Sequence, residues 1–170
     1  AAGLVATGSH IVAVAVDRPP TPGRNWVYYP DPDVPFHRVT HLSNYSPHVT
    51  PRPGQTLLLT ETSTSAHRPV PADTIAARVL AGLRRVGLIE DRDRVLGVWR
   101  STHRRTYPVP TLGRDAALDV VQRWLAGRDI VSTGRFGGWR YEEGNMDHAV
   151  AAGFRFADRV ATGASREATR

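Results

Sequence analysis

Cysteine is absent, which excludes disulfides, thiolate catalysis and zinc–thiolate sites. Lysine is absent too, so all 22 side chains of the lysine-plus-arginine total are arginine. Such usage fits a coding bias, but arginine also suits bidentate contacts with phosphate or carboxylate. No apolar run is long enough to span a bilayer and no secretory signal peptide is visible, so a cytoplasmic protein without a membrane partner is expected. The nucleophile elbow GxSxG, the phosphate loop GxxxxGK and the dinucleotide fingerprint GxGxxG do not occur. There is no internal repeat, and Ala1-Ala2-Gly3-Leu4 carries neither an initiator methionine nor a helix cap.

What remains is 170 residues with 41% hydrophobic content, enough for a packed core in one domain or in one piece of a larger one. A net charge of +6 and a pI near 10.6 point to anionic partners. The basic residues are scattered, without aromatic interleaving on a recognisable module, so nucleic acid is not an expected partner. Seven histidines raise the question of a metal. His37 and His41 lie four apart on a predicted strand, which separates them by roughly 13 Å, too far for one ion. His103, Arg104 and Arg105 read as a solvated charged stretch, or as arginines lining the path of an anionic ligand.

Four β-rich stretches come first: 10–17, 25–30, 36–44 and 56–63. Proline and glycine clusters at 19–23, 30–33 and 45–55 punctuate them, which suits an antiparallel sheet. In the third stretch Phe36, Arg38, Thr40 and Leu42 should take one face, and His37, Val39, His41 and Ser43 the other. Residues 73–86 switch to helical period: Asp73 is the expected cap, Ile75, Val79, Leu83 and Val86 share a face, and Gly87 stands at the C′ position. Strand character returns over 93–102, and 107–111 is extended because proline disfavours helix in the residue before it. A second helix is predicted from Gly113 to Ala126, with Ala117, Val120, Val121, Trp124 and Leu125 on its apolar stripe and Gly127 as its stop.

The last segment carries the most chemistry. A short predicted strand, Asp129–Thr133, leads into the stretch from Gly134 to Gly153. Gly134, Gly137 and Gly138 permit close approach of a backbone or a flat ligand. Arg135 offers a planar fork of donors, although it could serve only in an ion pair. Asn145 is the expected cap of a helix to about Val160, with Met146, Val150, Phe154 and Ala157 on one face. A strand that turns through glycines into a helix N-terminus can hold an anion. Glu142 and Glu143 read as a solvated acidic turn rather than an acid–base pair, since nothing fixes a partner. Trp139 and Tyr141 alternate beside the glycines, as packing residues often do. The pattern alone gives an α+β domain with an anion-friendly strand–turn–helix near its C-terminal end.

The stretch "GRFGGWRYEEGNMDHAVAAG" resembles the C-terminal flavin-binding signature of the FAD-dependent amine oxidase / protoporphyrinogen oxidase-like superfamily, in the branch resembling UDP-galactopyranose mutase. "YPVPTLGRDAAL" at 107–118 is similar to the segment preceding that signature, and "WVYYPDPDVPFHRVTHLSNYSP" at 26–47 to the substrate-domain sheet. The likeness covers roughly residues 10 to 160. The loop Glu142-Glu143-Gly144 is slightly longer than the mutase pattern.

The resemblance implies a substrate-domain-like antiparallel sheet with one helix over 1–111. It implies the C-terminal piece of an FAD-binding domain over 112–163 and a frayed tail over 164–170. The N-terminal dinucleotide-binding half would be missing and would be the chain's partner, since family members open with GxGxxG. It further implies non-covalent FAD at an incomplete site. Gly134 and Arg135 would lie against its phosphates, Asn145, Met146 and Asp147 at the helix start by the flavin ring, and Trp139 and Tyr141 near the ring face and substrate. A small-molecule substrate (a sugar nucleotide, an amine or a hydride donor) and self-association through uncovered apolar surface complete the expectation. The alternative is a non-enzymatic ligand- or partner-binding module that has lost its cofactor half.

Overall fold

The computed structural model describes residues 3–162, and the tail from 164 lies outside them. The elements in chain order are β1 (Ala6–Val16), β2 (Trp26–Tyr28), β3 (Arg38–His41), β4 (Thr56–Thr64), α1 (Ile75–Arg85), β5 (Val95–Pro108), α2 (Arg114–Ala126), the single-turn α3 (Gly134–Gly137) and α4 (Met146–Thr162). Two short 3₁₀ turns, Leu42–Asn44 and Pro47–Val49, join β3 to β4. The chain divides into two compact units, residues 7–106 and residues up to 6 together with those from 107 onward.

The first unit is built on a five-stranded sheet in the order β2-β3-β4-β1-β5. β1 pairs antiparallel with β4 over nine residues, from Gly8 opposite Thr64 to Val16 opposite Thr56. Residues directly opposite share a face, so Val12, Val14 and Val16 stand beside Thr60, Leu58 and Thr56. With Val39 from β3 they form the inner face, on which Ile75, Val79 and Leu83 of α1 pack together with Phe36 and Ile89. Each such side chain contributes about 1.5–3 kcal/mol when fully buried. Thr60 tolerates this core because its hydroxyl donates to the Val12 carbonyl at 3.1 Å. His10, 3% exposed, is matched at both ring nitrogens, at 2.9 Å from Thr102 Oγ1 and 2.9 Å from the Val70 carbonyl. A carbonyl only accepts, so Nε2 carries the hydrogen and Nδ1 accepts from the threonine.

The four predicted strands and the first helix with Gly87 (φ 71°) behind it are present. The alternation in the third holds only over Arg38–His41: Phe36 joins Val39 in the core instead of sharing the face of Arg38 and Thr40, and Leu42 and Ser43 lie in a 3₁₀ turn. Three further expectations are corrected. Asp73 does not cap α1: Thr74 occupies that position without a side-chain cap, and the Asp73 carboxylate accepts from the Thr74 N–H at 3.0 Å. Stretches 93–102 and 107–111 are not separate; 95–108 is one strand, carrying His103, Arg104 and Arg105 on its exposed length. The strand at Asp129–Thr133 is not formed. Asp129 is left-handed (φ 56°), the Ile130 N–H bonds back to the Leu125 carbonyl at 3.1 Å, and no ladder reaches this segment among the described residues. An extended segment becomes a strand only when a neighbour takes its backbone groups.

In the second unit α2 and α4 start within a residue of their predicted positions. Their apolar stripes, however, are only partly covered among the described residues. α2 has no buried residue, and Val120 and Trp124 are more than half exposed. On α4 only Ala152 is buried, while Met146, Val150 and Phe154 face outward.

The sheet unit carries an acid-sensitive element. His41 is 2% exposed, and its Nε2 has no hydrogen-bond partner among the described residues. Burial lowers its pKa from the ordinary 6.5, and the charge of Arg24 adds to that. His37 is lowered too, chiefly by burial; Glu61 pulls it back up and Arg38 and Arg68 push it further down. Both imidazoles are thus held neutral, and below about pH 6.5 the unfolded chain binds more protons than the fold does. Their contribution is complete above that pH and is lost as pH falls through the lowered folded values. Thermal unfolding followed by circular dichroism should show Tm dropping from pH 7 to pH 5, and His41→Gln should flatten the drop. A wild-type Tm independent of pH over that range would contradict the argument.

Candidate functional site

The site is built within the second unit, where α3, the loop 138–145 and the start of α4 meet. Local bonds shape the turn: the Gly138 N–H donates to the Gly134 carbonyl at 2.8 Å, and the Arg140 N–H to the Arg135 carbonyl at 2.9 Å. α4 opens with the Ala149 N–H on the Asn145 carbonyl at 3.1 Å.

Arg135 is the centre of this arrangement. Its guanidinium carbon lies 5.1 Å from the centre of the Tyr107 ring and 5.8 Å from that of Tyr141. The two rings are themselves 5.4 Å apart and tilted by 52°. A cation over an aromatic face gains about 0.5–2 kcal/mol, depending on its desolvation. A methyl group at Gly144 would overlap the guanidinium, so the absence of a side chain there makes room for Arg135. The Arg135 Nε is buried and has no hydrogen-bond partner among the described residues.

Beside it lies a cavity of about 420 Å³. Its lining includes Gly134, Arg135, Glu143, Asn145, His148 and Arg155. Glu143 is the single carboxylate in that lining, and it is paired with Arg140 at 3.3 Å. Two guanidiniums, an imidazole and the first turn of a 17-residue helix therefore surround a space whose acidic group is already engaged. The charge of such a space suits an anion. Arginine does not give up its proton, so Arg135 and Arg155 can hold charge but not act as acid or base.

Of the residues predicted for the site, Gly134, Arg135 and Asn145 come together around the cavity. Met146 and Asp147 are exposed and lie outside its lining. Tyr141 also lies outside the lining and flanks Arg135 from the loop. Trp139 is 8% exposed, and its indole N–H donates to the Val5 carbonyl at 3.1 Å while its ring meets Phe136 edge-on. Its left-handed backbone (φ 48°) turns the ring inward. Three residues escaped the sequence reading: Tyr107, His148 and Arg155. The two on α4 are seven apart, hence on one helical face, and that signal was available. Tyr107 lies 34 positions from Tyr141 in sequence, and no local pattern links them.

Among the described residues no group of three histidine, aspartate or glutamate side chains could hold a metal ion. No helix among them is long and apolar enough to cross a membrane.

No protein-family model matches the chain. Among solved structures it is similar to a reduced UDP-galactopyranose mutase, with 33% sequence identity, 98% of this chain covered and a TM-score of 0.88. It is also similar to a protein of Exiguobacterium sp. 255-15 provisionally assigned as a protoporphyrinogen oxidase, at 15% identity, 75% coverage and a TM-score of 0.58, a likeness of fold alone. The chain spans 36% of the length of the mutase and 29% of the second protein. Over nearly its whole length, then, this α+β chain has the fold of rather more than a third of a UDP-galactopyranose mutase, shared in outline with the second protein.

Proposed function

We propose that the chain is the C-terminal portion of an FAD-dependent protein of the amine oxidase / protoporphyrinogen oxidase-like superfamily, in the branch of UDP-galactopyranose mutase. The observation that carries this is the basic cavity at the start of α4, with Arg135 at its edge. The residues present fit one side of a bound FAD. The buried Arg135 Nε has no hydrogen-bond partner among the described residues, and the lining is basic. On this reading Gly134 and Arg135 hold the phosphates. Asn145, Met146 and Asp147 open the helix whose N-terminus favours negative charge, by roughly 0.3–1 kcal/mol. When bound, FAD supplies the redox or transfer chemistry, and the protein orients a small anionic or amine substrate against it.

The exposed parts of the α2 and α4 stripes and the unpaired segment 130–133 support a second element of the reading: a dinucleotide-binding unit completes both fold and site. The GxGxxG turn on which a pyrophosphate normally rests is not in this sequence. The other reading is a ligand- or partner-binding module without flavin chemistry.

Flavin fluorescence titration separates them. The chain alone should show no submicromolar affinity for FAD. The chain co-expressed with the dinucleotide-binding half of a complete relative should bind it. In that pair Arg135→Ala should weaken binding at least about tenfold, the loss expected for a hydrogen bond to a charged group. Glu142→Ala should leave it unchanged. Submicromolar binding by the chain alone would refute the half-site, and no binding by the pair would leave only the module.

Gly144→Ala tests the seat of Arg135 in a second way. The added methyl displaces the guanidinium from its place beside the two tyrosines. FAD affinity of the pair should fall nearly as far as in Arg135→Ala, with Tm within a few degrees of wild type because the loop is exposed. An affinity equal to wild type would show that Arg135 does not need that seat.

A further inference from the structure

We infer that Gln122, on α2, is a positioning residue for Arg135, an inference that rests on the anion-binding reading of the cavity above. Its side-chain amide bridges the turn that carries the arginine. Nε2 donates to the Gly137 carbonyl at 2.6 Å and approaches the Ser132 carbonyl at 3.4 Å. An amide NH₂ has two hydrogens, so one group can serve both acceptors. Residues 132 and 137 bracket α3, the single turn on which Gly134 and Arg135 sit.

The turn has little else to hold it in place. α3 is four residues long and has no buried residue, and its N-cap Thr133 makes no side-chain cap bond. The segment before it, 130–133, has no ladder among the described residues. The bonds from Gly138 to Gly134 and from Arg140 to Arg135 are local and fix the shape of the turn, not its position. Gln122 supplies position, because α2 is a regular helix of 13 residues on which the amide is carried. The two ends of the turn are also in van der Waals contact: a side chain at Gly137 would lie 2.7 Å from the Ser132 carbonyl carbon. The amide thus closes a loop whose ends already touch. Removing it leaves the Gly137 carbonyl without that donor and lets the turn, with Arg135, move relative to the cavity. Trp139 anchors the far side of the same turn to Val5 and provides an internal reference.

The test uses Gln122→Met, which keeps length and loses the donor, and Gln122→Lys, which restores a donor at similar reach. Two signals are read by NMR on the full chain: exchange of the Arg135 Nε–H, assigned by its loss in Arg135→Ala, and the Trp139 indole N–H. Gln122→Met should speed Arg135 exchange at least about tenfold while the Trp139 signal stays in place, and Gln122→Lys should return both near wild type. In the co-expressed pair, Gln122→Met should weaken FAD about five- to tenfold, the range of one net hydrogen bond. Wild-type exchange and affinity in Gln122→Met would overturn the inference. So would loss of the Trp139 signal together with that of Arg135, since Gln122 would then be needed for folding of the unit. Failure of the wild-type pair to bind FAD, with the exchange result intact, removes the flavin reading and leaves the positioning role standing.

Discussion

An arginine cannot discharge itself to escape burial, so a fold that half-buries one must find partners for its charge. Around Arg135 the partners are of an unusual kind. Two aromatic faces and a glycine surround the guanidinium, and Nε is buried without an acceptor. A donor left in that state costs about 1–3 kcal/mol, more when it is charged. The isolated chain therefore holds a polar group in a state that a bound anion would improve. The remaining parts of the site follow from keeping Arg135 there: the side-chain-free Gly144, the single turn α3, the amide clamp from Gln122, and the pairing of Glu143 with Arg140 rather than with the cavity's cations.

The sheet unit also holds polar groups inside an apolar layer, and matches some of them. Thr60 and His10 are buried on the inner side, and each is given acceptors or donors by backbone and neighbouring side chains. On the other side of β4, Glu61 is 7% exposed and receives Arg38 across the strand pair. His41 Nε2 has no hydrogen-bond partner among the described residues, as is also true of Ser9 Oγ, Thr62 Oγ1 and Thr106 Oγ1, and burial holds the imidazole neutral because protonating it would place a charge in the core.

Periodicity made most of the elements legible. The alternation at β3 and the stripes of α1, α2 and α4 led to the right element type, with boundaries within a few residues for the helices. The run from Gly134 to Asn145 also marked the segment where the cavity lies. Periodicity tells which face of an element is apolar but not what covers it. That is why α1 buries its stripe on β1 and β4, while α2 and α4 leave much of theirs exposed. It also fails where identity depends on a neighbour. Ile130 and Val131 have strand propensity and no strand beside them. Asp73 has a capping side chain, yet the chain starts its helix one residue later. Tyr107 and Gln122 acquire their roles only through contacts 10 or more positions away, for which a single sequence holds no local signal.

The exposed parts of the α2 and α4 stripes bear on the proposed site through linkage. Val120 and Trp124 on α2, with Val150, Phe154 and Val160 on α4, expose large apolar side chains on the two helices that also carry Gln122, His148 and Arg155. Covering such surface stabilises by about 25 cal/mol per Å² removed from water. A polypeptide that docks there favours the ordered form of the same helices that line the cavity. An anion in the cavity favours the same form, so each event raises the affinity of the other, by equal factors if both act on one equilibrium. On the reading proposed here, docking of the dinucleotide-binding unit and binding of FAD are then a single coupled process. The first supplies the pyrophosphate turn that this sequence lacks; the second satisfies the guanidinium that this sequence keeps in reserve.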